Sequence, residues 1–232
     1  MITLYESILS STKTGKSAIN REKIEKWIDT NIPYLKNAYE INKDLQICSK
    51  YSIRIPEGLT EIPKYIKFGD VNDIALNCDV NILTKEQFPT SMNHFYISGR
   101  ANNIIDIKFP LKINNRLSFS AFPHLVKEIK NLEVEFPDAT SKHFKIIDLD
   151  TTNIEIKDIK NINAKNITHL YIKDTPAAKK IMRNVNKFIK DKDNDKMNDY
   201  LNDIFGHIPN IENVVTLQRT ILRKGKISWF KL

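Results

Sequence analysis

Asp73-Ile-Ala-Leu-Asn-Cys78, Asn93-His-Phe-Tyr-Ile-Ser-Gly99 and Asn115-Arg-Leu-Ser-Phe-Ser-Ala121 are three short runs in which apolar and polar residues alternate. Alternation of this kind makes a strand with one face against a core. Phe88-Pro89 follows the first run and Phe109-Pro110 the second, so that pair recurs after 21 residues. One short strand per unit, at a period of roughly 20–29 residues, is the pattern of a leucine-rich-repeat-like solenoid. A unit of this size cannot cover its own apolar face and is stable only when stacked on neighbours. The expected fold class is α+β: a leucine-rich-repeat-like β-solenoid with N-terminal helices and a C-terminal helical cap. A continuous sheet is expected across Ile74, Phe95, Leu117 and Val134.

Upstream of the repeats, Thr3 and Glu6 stand at capping-box spacing. Leu4, Tyr5, Ile8 and Leu9 then share one face of a short helix. A helix this short is marginal alone in water and needs something to dock on, which makes these four the candidate partner-docking residues. A polar linker, Ser10 to Ser17, follows. A second helix is expected from about Asn20 to Asn31, with Ile24, Trp27, Ile28 and Ile32 as its core-facing stripe and Pro33 ending it. Ala38–Asn42 and Asp44–Cys48 read as strands. Ile55-Pro56 and Ile62-Pro63 bracket a turn where proline forbids central-strand pairing.

Downstream, the spacing becomes irregular. Leu132–Phe136, Phe144–Leu149 and Ile167–Lys173 still read as strands, with Ile154, Ile156, Ile159 and Ile162 filling the turns between the last two. Thr175-Pro176 is a helix start, a capping residue followed by proline in the first turn. Ile181, Met182, Val185, Phe188 and Ile189 form one helical stripe. Met197, Tyr200, Leu201, Ile204 and Phe205 form another that stops at Gly206. Val214 to Leu222 fits either a helix or one strand of a hairpin turning at Lys224-Gly225. Three segments result: 1–19, docking helix and linker; 20–175, solenoid with its capping helix; 176–232, a helical and hairpin cap.

The 232 residues are 41% apolar and 28% charged, proportions of a folded chain rather than a disordered one. No stretch approaches the 18 or so apolar residues of a membrane helix, and the N-terminus has no signal-peptide core. Cys48 and Cys78 alone make no disulfide framework, so synthesis in a reducing compartment is expected. Of the net charge of +8, most lies in residues 176–232, with twelve Lys/Arg against six Asp/Glu. Acids and bases alternate there, as in Lys190-Asp-Lys-Asp-Asn-Asp-Lys196, which fits a solvated face better than a nucleic-acid surface. The preference for Ile, Lys and Asn also matches an A/T-rich genome.

Two motifs invite an enzymatic reading. Ser10-Ser-Thr-Lys-Thr-Gly-Lys-Ser17 departs from a phosphate-binding P-loop only at the first glycine, yet no buried strand precedes it and no βαβ alternation follows. Asp148-Leu-Asp-Thr-Thr152 is like the first motif of haloacid-dehalogenase-type phosphatases, whose two aspartates are nucleophile and acid/base. The further motifs of that chemistry have no room downstream. Turn residues closing a repeat strand are the simpler reading. His94, His124, His143, His169 and His207 have no close metal spacing, and neither cysteine has a Cys-x-x-Cys partner. No catalytic, cofactor-binding or metal residues are expected.

The stretch Tyr39-Glu-Ile-Asn-Lys-Asp-Leu-Gln-Ile47, then Leu59-Thr-Glu-Ile-Pro-Lys-Tyr-Ile-Lys-Phe-Gly-Asp-Val71 and Leu76-Asn-Cys78, resembles degenerate leucine-rich-repeat-like proteins of tailed bacteriophages. Trp27 and its helix sit where that pattern has them, and the likeness covers about residues 20 to 120. Leu4-Tyr-Glu-Ser-Ile-Leu-Ser-Ser-Thr12, followed by Gly15-Lys16, is similar to N-termini on proteins of crAss-like gut phages. The resemblance implies a non-enzymatic phage protein, made in the host cytoplasm and carried in the virion. Its partners would be capsid, portal or tail proteins, with self-association open, no membrane and no cofactor. The alternative is a nucleic-acid-binding phage accessory factor acting through the basic C-terminal part.

Overall fold

Alternating runs become strands, and the computed structural model shows how they stack. It describes residues 4–78, 80–89, 91–97, 104–119, 126–137, 144–208, 211–216, 219–222 and 230–231. The class is α+β, with four α-helices and a mixed sheet among these residues.

The chain enters through helix α1 (Leu4–Asn31), which runs unbroken through Ser10–Ser17. Two helices joined by a linker were expected there; the segment holds no proline, and one glycine is tolerated inside a helix at a cost of only about 1 kcal/mol. Ile24, Trp27, Ile28 and Ile32 are buried as expected. Pro33 pushes Ile32 out of helical geometry, to φ −136°, and ends α1.

Strands β1 (Glu40–Ile41) and β2 (Ile47–Ser49) form an antiparallel hairpin closed by Asn42, whose Oδ1 accepts from the amides of Asp44 and Gln46. Then come β3 (Ile53–Ile55), β4 (Phe68–Leu76), β5 (Ser91–Ile97), β6 (Ile104–Asp106), β7 (Leu111–Lys112), β8 (Arg116–Ser118), β9 (Glu128–Glu135) and β10 (Ile146–Asp148). Helix α2 (Ile156–Ile159), β11 (Ile162–Lys165) and β12 (His169–Tyr171) follow. Helices α3 (Pro176–Lys190) and α4 (Asn194–Phe205) precede β13 (Asn213–Val215), β14 (Arg219–Leu222) and β15 (Phe230–Lys231).

From β2 and β3 to β13 the long sheet is parallel, in the order β4, β5, β8, β10, β12, β13. Its register lines up Ile53, Ile74, Phe95, Leu117, Ile147, Leu170 and Val214, at successive steps of 21, 21, 22, 30, 23 and 44 residues. Apart from Val214 at 3%, these side chains are wholly buried. Each such burial stabilises by roughly 1.5–3 kcal/mol. Phe88 stacks edge-on against Phe95 at 5.1 Å and Phe109 at 5.5 Å, so the phenylalanines of the recurring Phe-Pro pairs meet at the edge of the core.

Val134 is not in this column, contrary to expectation. It lies in a second parallel sheet of β6, β7, β9 and β11, opposite Leu111 and Ala164. After β5 the chain alternates between the sheets, and the apolar residues of both share one core. Ile162 likewise begins a strand of the second sheet rather than filling a turn.

At both ends the long sheet turns antiparallel, through β1 on β2 and through β13, β14 and β15. Val214–Leu222 therefore supplies a strand pair, while Lys224-Gly225 lies outside the described residues. Thr175 caps α3, its Oγ1 accepting from the Ala178 amide at 3.0 Å. Helices α3 and α4 pack on each other and on α2, but they interrupt the route from β12 to β13 instead of ending the chain.

Candidate functional site

Strand geometry sends alternate residues to opposite faces, so the two rows beside the buried column share the outer face of the sheet, where Ser118 and Asp148 are nonetheless buried. One outward row runs Asp73, His94, Arg116, Ile146, His169, Asn213. The other runs Arg54, Ala75, Tyr96, Ser118, Asp148, Tyr171, Val215.

Polar groups on this face are tied across strands. His94 Nδ1 hydrogen-bonds Asp73 Oδ1 at 2.6 Å. Arg116 Nη2 donates to Asp148 Oδ2, and Asp148 Oδ1 accepts from the Asp150 amide at 3.0 Å. Asp150 Oδ1 accepts from the Lys173 amide at 2.6 Å, while the Lys173 Nζ stands 3.7 Å from the other oxygen. Burial holds the Asp150 carboxyl above its ordinary value, partly offset by that amide bond. Thr151, beside it, is in the left-handed region at φ 61°, an uncommon place for a β-branched residue. Its amide donates to the Lys173 carbonyl, which holds the turn.

Aromatic rings complete the surface. Phe144, 61% exposed, packs edge-on against His169 at 4.4 Å, and His169 lies 6.0 Å from Tyr171. The Lys173 ammonium sits 5.3 Å over the Tyr171 ring. Burial lowers the His169 pKa, opposed by the charge of Glu212. Burial, then the negative charge of Asp73, raises that of Tyr96. The two aspartates of the phosphatase-like motif are thus each held by a cation and a backbone amide, at the end of strand β10.

Below the outward rows runs a ladder of amides that sequence reading missed. Asn93 Nδ2 donates to Asn72 Oδ1 at 2.7 Å, and Asn114 Nδ2 to Asn93 Oδ1 at 3.1 Å. The signal was an asparagine recurring every 21 residues.

Near β1 and β2, Tyr34 (53% exposed) and Tyr51 (65% exposed) flank two adjoining clefts. Residues 18–23 are all exposed, and six in a row exceed one helical turn, so no face of α1 is covered there. Leu4, Tyr5, Ile8 and Leu9 lie on α1, but their side chains fall outside the described residues. Of the histidines, His124 and His143 also lie outside them. Among the described residues no three His, Cys, Asp or Glu side chains cluster to hold a metal ion, Cys48 and Cys78 are both buried, and no helix is long and apolar enough to cross a membrane.

Compared with known families, curated proteins and solved structures, the chain matches none of them.

Proposed function

We propose that this chain is a leucine-rich-repeat-like solenoid that acts without catalysis, as a protein-binding component of a tailed-bacteriophage virion. The observation that carries the reading is the buried column Ile74, Phe95, Leu117, Ile147, Leu170, with one parallel strand per step. A stack of this kind leaves a rigid outward face whose carboxylates are held in place, suited to complementarity with a partner. The phage assignment rests on the sequence resemblance, and capsid, portal or tail proteins are the partners it implies.

Helix α1 is the proposed attachment point, through Leu4, Tyr5, Ile8 and Leu9. Residues 18–23 of the helix are exposed, and helix-in-groove docking, an apolar face laid in a partner's groove, suits such a segment. Deleting residues 1–12 should leave thermal stability nearly unchanged and abolish incorporation into particles. Early melting of the truncated chain would assign the segment to the fold, and normal incorporation would sink the docking role.

A second reading, nucleic-acid binding, draws on Arg183, Lys187 and Lys190, exposed on α3 at spacings of four and three residues. Against it, Lys179 pairs with Asp174 and Lys196 with Asp193. Only weak, salt-sensitive binding is expected; a dissociation constant that stayed below about 1 μM at physiological salt would favour the second reading, because phosphate contacts weaken steeply as salt rises.

A further inference from the structure

The two clefts beside β1 and β2 share a wall. One, of about 530 Å³, is lined by Tyr39, Glu40, Lys50, Asp70 and Asn72. The other, of about 400 Å³, is lined by Tyr34, Leu35, Ser52 and Arg54. Ala38 and Tyr51 border both, so the Tyr51 ring forms the ridge between them.

The walls are fixed before any ligand arrives. Buried Ser49 donates its hydroxyl to the Ala38 carbonyl at 3.0 Å and accepts from the Tyr51 amide at 3.0 Å. One side chain thus sets both shared positions. The Tyr34 hydroxyl hydrogen-bonds the backbone amide and carbonyl of Arg54, which pins its ring upright. An exposed aromatic ring held as Tyr34 is costs little entropy on binding, and aromatic residues dominate interface energies.

Charge selects between occupants. The chain carries +8 overall, yet Glu40 and Asp70 line the larger cleft against a single Lys50. Burial, and behind it the negative charges of Glu25 and Asp29 on α1, raise the Tyr39 hydroxyl above its ordinary value of 10.0, with Arg21 opposing.

We infer that this pair of clefts binds an extended peptide segment of a partner protein, with a prolyl or aliphatic side chain in the Tyr34 cleft and a lysine or arginine in the cleft of Glu40 and Asp70. Proline-containing segments are already extended, and flat aromatic walls are what receive them. The inference rests on the reading of the chain as a protein-binding component, and it names a contact separate from helix α1.

The probe is a fluorescein-labelled decapeptide of alternating proline and arginine, followed by fluorescence anisotropy on the full chain, with a proline–glutamate decapeptide as its counterpart. A chain of net +8 attracts the acidic peptide non-specifically, so preference for the basic one is diagnostic. Saturable binding of the basic peptide is expected, weakened at least about tenfold by Tyr51→Ala, a hot-spot-sized loss. Asp70→Lys should reduce it as strongly. Both positions are exposed, so unchanged thermal unfolding will separate lost binding from lost fold. Absence of saturable binding, equal or tighter binding of the acidic peptide, or indifference to Tyr51→Ala overturns the inference. Particle incorporation lost on deleting residues 1–12 but kept by Tyr51→Ala would leave the protein-binding reading standing without it.

Discussion

The two halves of the long sheet are built by different means. From β3 to β8 the steps are 21, 21 and 22 residues, and the same devices recur at the last two. Asn72, Asn93 and Asn114 hydrogen-bond in line, and Phe88 and Phe109 stack behind them. From β8 to β13 the steps are 30, 23 and 44, and among the described residues the asparagine ladder and the phenylalanine stack do not continue. Buried polar side chains close the turns instead, and one device repeats at the 23-residue step, a threonine hydroxyl on the carbonyl three residues back. Asp158 accepts from the amides of Ile129 and Glu155, Thr152 donates to the Leu149 carbonyl, and Thr175 donates to the Ile172 carbonyl and caps α3. A regular step satisfies its turn by copying its neighbour. An irregular one leaves backbone groups in particular places, and each needs its own partner because an unpaired buried amide is costly.

The largest effect should come from the regular half. Phe95 is fully buried at the centre of the apolar column and stacked by Phe88. Phe95→Ala should destabilise by about 3–5 kcal/mol, read as a lowered midpoint in chemical denaturation. A neutral result would mean that Phe95 is not packed in that column.

Single polar replacements should then separate the halves. Asp158 is wholly buried, so Asp158→Ala strands the buried Ile129 amide and removes the partner of the Glu155 amide, at a cost of about 2–4 kcal/mol. Asn93 is half-buried, and water can replace part of the ladder it bridges. Asn93→Ala should cost only about 1–2 kcal/mol. If Asn93→Ala proved the worse, the ladder rather than the apolar column would be holding the regular half together.

Legibility in the sequence followed the same division. Ile74, Phe95 and Leu117 were placed in one sheet because alternation and a constant period needed no knowledge of the rest. The asparagine ladder is equally periodic, but an asparagine in an alternating run reads as a solvated residue, and only the stacked register brings the three side chains together. Val134 was assigned to the wrong sheet, since β6 and β7 are too short, at three and two residues, to announce a second sheet. The continuity of α1 was hidden by a polar composition that suits a linker as well as a solvated helix. Arg116 and Asp148 lie 32 residues apart, across the irregular step, so nothing local paired them. The clefts around Tyr51 depend on how a hairpin meets β4, where a Cβ on Gly69 would lie 2.7 Å from Cys48 Sγ. Such close approaches are tertiary and leave no periodic trace.

The smallest expected effect distinguishes two histidines in the same outward row. His94, in the regular half, has the Asp73 carboxylate at 2.6 Å. His169, in the irregular half, contacts the Thr168 hydroxyl, the Asn213 amide and the ring of Phe144. Burial there disfavours the imidazolium and lowers the folded-state pKa below the ordinary 6.5. The unfolded chain then binds the proton more readily, so stability is fully present above pH 6.5 and declines as pH falls from that value through the lowered one. Denaturation midpoints on either side of that window should show a small loss on acidification that His169→Gln removes. The variant keeps a polar side chain but cannot titrate, so it should match wild type in slope only above pH 6.5. If acidification costs the variant as much as wild type, the proton is taken up elsewhere and the ring stack on β12 is not what disfavours it.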